Sequence, residues 1–176
     1  MCIGLLLMLS SVTVHANNSE RHQITALFLY NFANFVEWPE RAFVSKKSPL
    51  RMCLFGDVPF SSMMDAFDGA LIGERELGIL MTNEMSEIES GCHILFVGND
   101  QRAHLPNFFK QIQYSYVLSV SDKENFLHEG GIINIVNTSK QLQFDINLTM
   151  ASANKLTISS DLLSLARKIK RLKPQK

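Results

Sequence analysis

The sequence has 176 residues, enough for one domain of ordinary size and too few for two. Hydrophobic residues make up 46% of the chain and charged residues 19%, which is typical of a globular protein with a substantial core. The 17 Lys and Arg residues balance the 17 Asp and Glu residues, so the chain lacks the overall positive field of a nucleic-acid-binding protein.

The first sixteen residues predict a cleaved secretory signal. The apolar run Ile3–Leu9 is too short to span a bilayer, and Val14, His15 and Ala16 follow it where a signal peptidase reads small residues. We expect residues 1–16 to be a signal peptide and residues 17–176 to form a single α/β domain in the periplasm. No Lys or Arg precedes the run. The alternative is that the run is a buried first helix or strand.

Two cysteines, Cys53 and Cys92, remain once Cys2 leaves with the signal. In an oxidising compartment such a pair favours a disulfide. Neighbouring strands lie about 4.8 Å apart, a spacing that a disulfide accepts, so the bridge requires the two cysteine strands side by side. Two buried free cysteines are the alternative.

Residues 20–37 predict an amphipathic helix that ends before Pro39, because proline disfavours helix in the residue before it. Its helically spaced stripe consists of Ile24, Leu27, Phe28, Asn31, Phe32 and Phe35. This stripe does not explain the aromatic residues Tyr30 and Trp38. Exposed aromatic side chains mark protein interfaces, so both are candidate partner-binding residues. The alternative is that they belong to the core.

Strand and helix signals alternate from residue 51 to residue 131. Strands are predicted at 51–55, 77–81, 92–97 and 116–120, and helices at 61–67, 102–113 and just before Gly130. This order favours an α/β fold in which a mainly parallel sheet has helices on both faces, a three-layer, Rossmann-like arrangement.

The last part of the chain predicts an antiparallel hairpin, 132–136 with 142–147, and a C-terminal helix that Ser159 or Ser160 caps. The predicted apolar stripe of this helix is Leu162, Leu165, Ala166, Ile169 and Leu172. Its basic residues are Arg167, Lys168, Lys170, Arg171 and Lys173. They either complement the helix dipole in solvent or contact anionic lipid or an acidic partner.

The sequence contains no Cys-x-x-Cys pair, no Gly-x-Ser-x-Gly elbow, no P-loop and no dinucleotide fingerprint. The histidines show no i, i+4 pairing, and the neighbours Cys92 and His93 point to opposite faces of a strand. We therefore expect neither catalysis nor a metal or cofactor.

Three aspartates, Asp57, Asp100 and Asp122, each follow a predicted parallel strand. Ligands of open α/β sheets bind at that edge, so the three side chains are a candidate crevice for a cation or an amine. The alternative is that each aspartate caps the helix or turn that follows.

The chain resembles the YfiR family of periplasmic proteins over nearly all of its length after the signal. The first matching block is Ala-Leu-Phe-Leu-Tyr-Asn-Phe-Ala-Asn-Phe-Val-Glu-Trp-Pro at residues 26–39. The later blocks, in order, are Cys53–Phe60, Cys92–Val97, Val117–Asp122, Phe126 with Gly130–Ile133, Phe144–Asn147 and Leu156–Leu163.

This resemblance implies a non-catalytic regulator that restrains a membrane-bound diguanylate cyclase through the cyclase's periplasmic domain, which lowers cyclic-di-GMP and biofilm formation. It also implies a homodimer, and release of the restraint by an outer-membrane lipoprotein. Cys53 and Cys92 match the position and spacing of one family disulfide. The second cysteine pair of some members is missing here, and His128 and Ile135 stand at about those positions. The resemblance makes Ile133 and Asp145 candidate partner-binding residues.

The sequence is also compatible with a different class of function. The protein could be a periplasmic small-ligand-binding module, with its ligand at the strand-end aspartates, that feeds another membrane signalling partner. Titration with candidate ligands distinguishes this module from the regulator.

Overall fold

The computed structural model describes residues 13–112, 115–138 and 141–171. Its helices are α1 Thr13–Phe35, α2 Ser61–Met64, α3 Met85–Glu89, α4 Leu105–Ile112, α5 Phe126–Glu129, α6 Leu148–Ala153 and α7 Ser160–Leu165. Its strands are β1 Val36–Glu37, β2 Leu50–Phe55, β3 Leu71–Ile72, β4 Arg75–Thr82, β5 Ile94–Val97, β6 Leu118–Ser121, β7 Ile133–Asn137, β8 Leu142–Asn147, β9 Thr157–Ile158 and β10 Lys168–Lys170. Short 3-10 turns occupy Glu40–Ala42, Asp65–Phe67 and Asn99–His104.

Within these residues, eight strands form one sheet in the order β10-β8-β7-β6-β5-β2-β4-β3. Five neighbouring strands, in the order β4, β2, β5, β6 and β7, run parallel to one another, and β8 returns antiparallel to β7. The predicted fold class is confirmed: a mainly parallel sheet carries an added antiparallel hairpin. A separate two-stranded ribbon pairs β1 with β9.

Helices cover both faces of the sheet. On one face α1 packs against the sheet, and Phe32 of this helix meets Phe144 of β8 edge-to-face with 5.1 Å between ring centroids. On the other face α4 and α5 form a second apolar cluster that contains Phe108 and Phe126. All four residues of β5 are buried, as expected for a parallel strand covered on both sides.

The stripe predicted for α1 is right at Phe28, Phe32 and Phe35, which pack in the core, and wrong at Leu27 and Asn31, which are exposed. The helix buries Ala26, Leu29, Phe32 and Ala33, whereas Leu27 is 48% exposed. Residues 26–30 are all apolar, so periodicity there fits more than one face, and the polar residues Gln23, Asn31 and Asn34 mark the exposed side. The helix also ends at Phe35, earlier than predicted, because the next two residues pair with β9.

The predicted C-terminal helix is wrong beyond Leu165. Ser159 caps α7, as expected, by accepting a hydrogen bond from the Leu162 backbone N–H at 3.2 Å. The chain then extends, and Lys168–Lys170 pairs with β8 as an edge strand. The open edge of β8 supplies hydrogen bonds that a longer helix would leave unused. The predicted stripe residue Leu172 lies outside the described residues.

Over the described ranges, no helix combines the length and the apolar character that crossing a membrane requires.

Candidate functional site

The strand-end aspartates lie at one edge of the sheet. The Asp57 backbone N–H donates to Asp100 Oδ1 at 2.9 Å, and this bond is the main reason why the pKa of Asp100 lies below its usual value. Gln101 Nε2 donates to the other Asp100 oxygen at 2.8 Å, and Asp122 accepts a hydrogen bond from the Asn99 amide at 3.4 Å. Two of the three carboxylates therefore fasten neighbouring loops.

Two glycines bring these loops close together. A Cβ on Gly98 would lie 2.4 Å from the Asp57 carbonyl oxygen. A Cβ on Gly56, whose φ is +82°, would lie 2.3 Å from Asp100 Oδ1. Among the residues the structure describes, no three His, Cys, Asp or Glu side chains are placed to hold a metal ion. The crevice at Asp57, Asp100 and Asp122 stays a prediction.

Cys53 and Cys92 are joined by a disulfide with a Cα–Cα distance of 5.9 Å. Cys53 lies in β2, and Cys92 lies just before β5, the strand next to it. Both cysteines are buried in the cluster under α4 and α5. The bridge joins two neighbouring parallel strands inside the core.

His93 fastens the opposite side of the same strand pair. Its Nδ1 accepts from the Arg51 backbone N–H at 3.0 Å, which leaves Nε2 as the donor to the Ala42 carbonyl at 3.1 Å. Its ring stacks on Phe43 at 4.4 Å. Burial, chiefly, lowers the pKa of His93 below 6.5, with the charges of Arg75 and Arg51 acting in the same direction. The neutral ring therefore has a structural role, since it joins the start of β5 to β2 and to the segment around Ala42.

The two predicted interface aromatics are half-buried. Trp38 Nε1 donates to the Tyr116 carbonyl at 2.9 Å, so the indole is tied across a long sequence separation. The Tyr30 ring stacks on Phe67 with 4.7 Å between centroids. Each side chain keeps part of its surface in solvent, and their partner role is a prediction that the structure leaves open.

Ile133 and Asp145 do not present their side chains to solvent. Ile133 is fully buried, because it faces the core from β7 in the interior of the sheet. Asp145 is 8% exposed and is held by Arg167, whose Nε and terminal nitrogen donate to its two oxygens at 2.8 and 2.5 Å. Their role in partner binding stays a prediction.

A surface that the sequence did not single out surrounds the segment 40–48. The Arg75 guanidinium lies 3.6 Å from the centre of the Phe43 ring and donates to the carbonyls of Ser45 and Ser48 at 3.1 and 2.7 Å. This clamp holds the segment against the β3–β4 turn. It leaves Val44 fully exposed at the tip.

We call the apolar surface formed by Trp38, Phe43, Val44 and Ile72 the Val44 patch. Ile72 lies opposite Arg75 in the β3–β4 pair, so both side chains are on the face that meets the segment 40–48. Two adjoining cavities of about 270 and 530 Å³ flank Phe43, Ile72 and Arg75. The sequence signal that could have indicated this surface is the apolar pair Phe43 and Val44, which stands beside a polar loop.

The model of the YfiR/HmsC-like family matches residues 22–167. The chain belongs to the YfiR/HmsC-like family. Regulation of diguanylate cyclase signalling from the periplasm is the family's role, in agreement with the disulfide. The match includes both cysteines and the whole Val44 patch.

Two solved structures are similar to this YfiR/HmsC-like chain in fold. One is a conserved domain protein from Vibrio cholerae O1 biovar eltor, with 10% identity and a TM-score of 0.54. The other is the ABC domain from Streptococcus pneumonia in complex with L-Trp, with 13% identity and a TM-score of 0.54. Each match covers 85% of this chain and 60% of the other chain. At these identities the likeness concerns the fold alone.

Proposed function

We propose that this protein is a periplasmic repressor that binds the periplasmic domain of an inner-membrane diguanylate cyclase. Family membership over residues 22–167 is the observation that carries the proposal. Repression requires that the protein bind the inactive arrangement of the cyclase more tightly than the active one, since only differential affinity shifts a conformational equilibrium. The expected result is less cyclic-di-GMP and less biofilm.

The Val44 patch is the contact surface in this proposal. Exposed Val44 and partly exposed Ile72 supply apolar area that a partner can bury, and the Arg75 clamp holds the segment 40–48 in place before binding. A pre-ordered surface loses less conformational entropy on association. Half-buried Trp38 extends the patch towards α1, and tryptophan is enriched among residues that dominate binding energy.

The wider proposal concerns the setting of the protein. Residues 1–16 direct export and are removed, the mature chain forms a homodimer, and an outer-membrane lipoprotein relieves repression by sequestering it. The disulfide supports an oxidising compartment.

The test uses the purified mature protein and the isolated periplasmic domains of the host's inner-membrane diguanylate cyclases, with binding measured by biolayer interferometry. The variant Val44→Asp should weaken binding at least about tenfold, because it places a charge in a desolvated contact. The control Met81→Asp changes an apolar residue that is 57% exposed outside the patch, and it should bind like the wild type.

Cyclic-di-GMP measured in cells gives the second readout. Deletion of the gene should raise it, and the wild-type gene should restore it where the patch variant does not. Absence of binding to every cyclase domain, together with unchanged cyclic-di-GMP on deletion, would overturn repression. Equal weakening by the patch and control variants would overturn the choice of surface.

A further inference from the structure

The basic segment near the C-terminus forms an edge strand and not a helix turn. Lys168 lies opposite Asp145 and Lys170 opposite Asn147 in the parallel β10–β8 pair. Alternate residues of a strand point to the same face, so both lysines are on one face of the sheet, about 7 Å apart along the strand. On that face α5 lies beside them, since Lys170 Nζ donates to the Leu127 carbonyl at 3.3 Å.

A cavity of about 420 Å³ opens at this place, between α5 and the strands β7, β8 and β10. Its polar lining consists of Asn125, His128, Asn134, Asp145, Lys168 and Lys170. The volume falls in the range of small-molecule sites, which is about 300–1,000 Å³. It is lined by groups from four separate elements, which is the usual construction of a ligand site.

The charge of this cavity is positive. Among the described residues that line it, Asp145 alone is acidic; it is 8% exposed, and its two oxygens accept hydrogen bonds from Arg167 at 2.8 and 2.5 Å. Arg167 therefore neutralises the carboxylate, and the two lysine ammonium groups are left as the uncompensated charges of the lining. Lys170 uses one of its three N–H donors on the Leu127 carbonyl.

The Asn134 side chain is already committed to the protein. Its amide nitrogen donates to the carbonyls of Ser121 and Lys123 at 3.0 and 2.8 Å. The donors that remain for a ligand are therefore the ammonium groups, the Asn125 amide and the His128 ring. These donors suit an acceptor-rich anion.

We propose that this cavity binds a small dianion, either a phosphate monoester or a dicarboxylate. Two ammonium groups on alternate residues of one strand can each contact one end of a dianion, and charge-assisted hydrogen bonds are about twice as strong as neutral ones. A monoanion would leave one ammonium unmatched. The site is independent of the proposed repression.

The position of the cavity separates it from the Val44 patch. β10 and β3 are the two outermost strands of the eight-stranded sheet, and the cavity lies at β10 whereas the patch lies at β3. A bound dianion would therefore leave the proposed partner surface open. It would not compete with the partner for that surface.

Isothermal titration calorimetry of the mature protein tests the site, with glycerol 3-phosphate and succinate as separate probes. At least one probe should bind, and more weakly as the salt concentration rises, because the attraction is screened. Lys168→Gln/Lys170→Gln should weaken binding at least about tenfold. The matched control Lys46→Gln/Lys47→Gln, in the segment 40–48, should leave the affinity unchanged.

A second variant and a binding measurement with lipid vesicles complete the test. Lys168→Gln removes one exposed ammonium, so it should retain the wild-type unfolding temperature and still weaken binding severalfold. Absence of binding by both probes at millimolar concentration would overturn the proposal, as would equal weakening by the control. Binding to phosphatidylglycerol vesicles but to neither soluble probe would also overturn it, in favour of a lipid surface.

Discussion

The central and the added strands of this sheet are built differently. In β5 and β6 every residue is buried, and the disulfide and the neutral His93 attach the β5 segment to β2 from opposite faces of the sheet. In the β7–β8–β10 part, one face holds isoleucines in register, Ile133 with Ile146 and Ile169, while the other holds polar side chains. In the added part α1 covers the isoleucine face, where Phe32 meets Phe144 of β8, whereas the four-residue helix α5 lies beside the polar face. Where cover ends, the sheet becomes polar and a cavity opens.

The largest expected effect comes from removing the disulfide in the covered centre. The cysteines are 39 residues apart, and the chain-entropy model gives such a cross-link about 4 kcal/mol of stability. Cys53→Ala/Cys92→Ala should therefore lower the free energy of unfolding by about that amount in a denaturant titration. Reductant should destabilise the wild type and leave the variant unchanged. If thiol titration shows complete reduction without a loss of stability, the disulfide does not stabilise the fold.

The next effect concerns the ion pair that attaches β10. Asp145→Ala removes a nearly buried carboxylate that accepts two hydrogen bonds from Arg167, and should lower the free energy of unfolding by about 2 kcal/mol. Hydrogen exchange should rise first in β10. The exposed-carboxylate control Glu129→Ala should stay within about 0.5 kcal/mol. Uniform loss of protection across the central strands instead would show that the two parts of the sheet are one cooperative unit.

The smallest effect is a pH dependence in the centre. Above pH 6.5 His93 is neutral in both the folded and unfolded states, whereas below it the unfolded state takes up a proton that the folded state excludes. The free energy of unfolding should therefore fall as the pH drops below 6.5, at no more than about 1.4 kcal/mol per pH unit for one proton. His93→Asn should flatten this slope in denaturant titrations between neutral and mildly acid pH.

The charged groups that act on His93 are Arg51 and Arg75, and protonation would bring a third positive charge to them. His128→Gln, at an exposed position, serves as the control and should keep the wild-type slope. An unchanged slope in His93→Asn would assign the pH dependence to other groups.

Sequence patterns predicted the centre of the fold well and its margins poorly. The strands β2, β5 and β8 follow from apolar runs that have turn-forming residues at their ends. By contrast, the spacing of Leu162, Leu165 and Ile169 fits a helix, and only the distant edge of β8 turns the end of that segment into β10. The two-residue ribbon of β1 and β9 is also fixed by a long-range pairing that local propensity does not contain.

The candidate sites divide in the same way. The cysteine pair could be predicted because oxidising compartments favour one outcome for two thiols. Ile133 and Asp145 came from a family resemblance, which locates a strand but not the side that faces solvent. Val44 was missed because its exposure depends on the Arg75 clamp, a contact between segments 27 residues or more apart in sequence.

The Trp38–Tyr116 hydrogen bond gives the molecule its own optical reporter. Trp38 is the single tryptophan of the chain, so the intrinsic fluorescence comes from one indole whose N–H is fixed to a known carbonyl. That indole borders the Val44 patch, and its emission maximum will shift if a docking protein removes water from it. Association can thus be followed without labels, on the native chain.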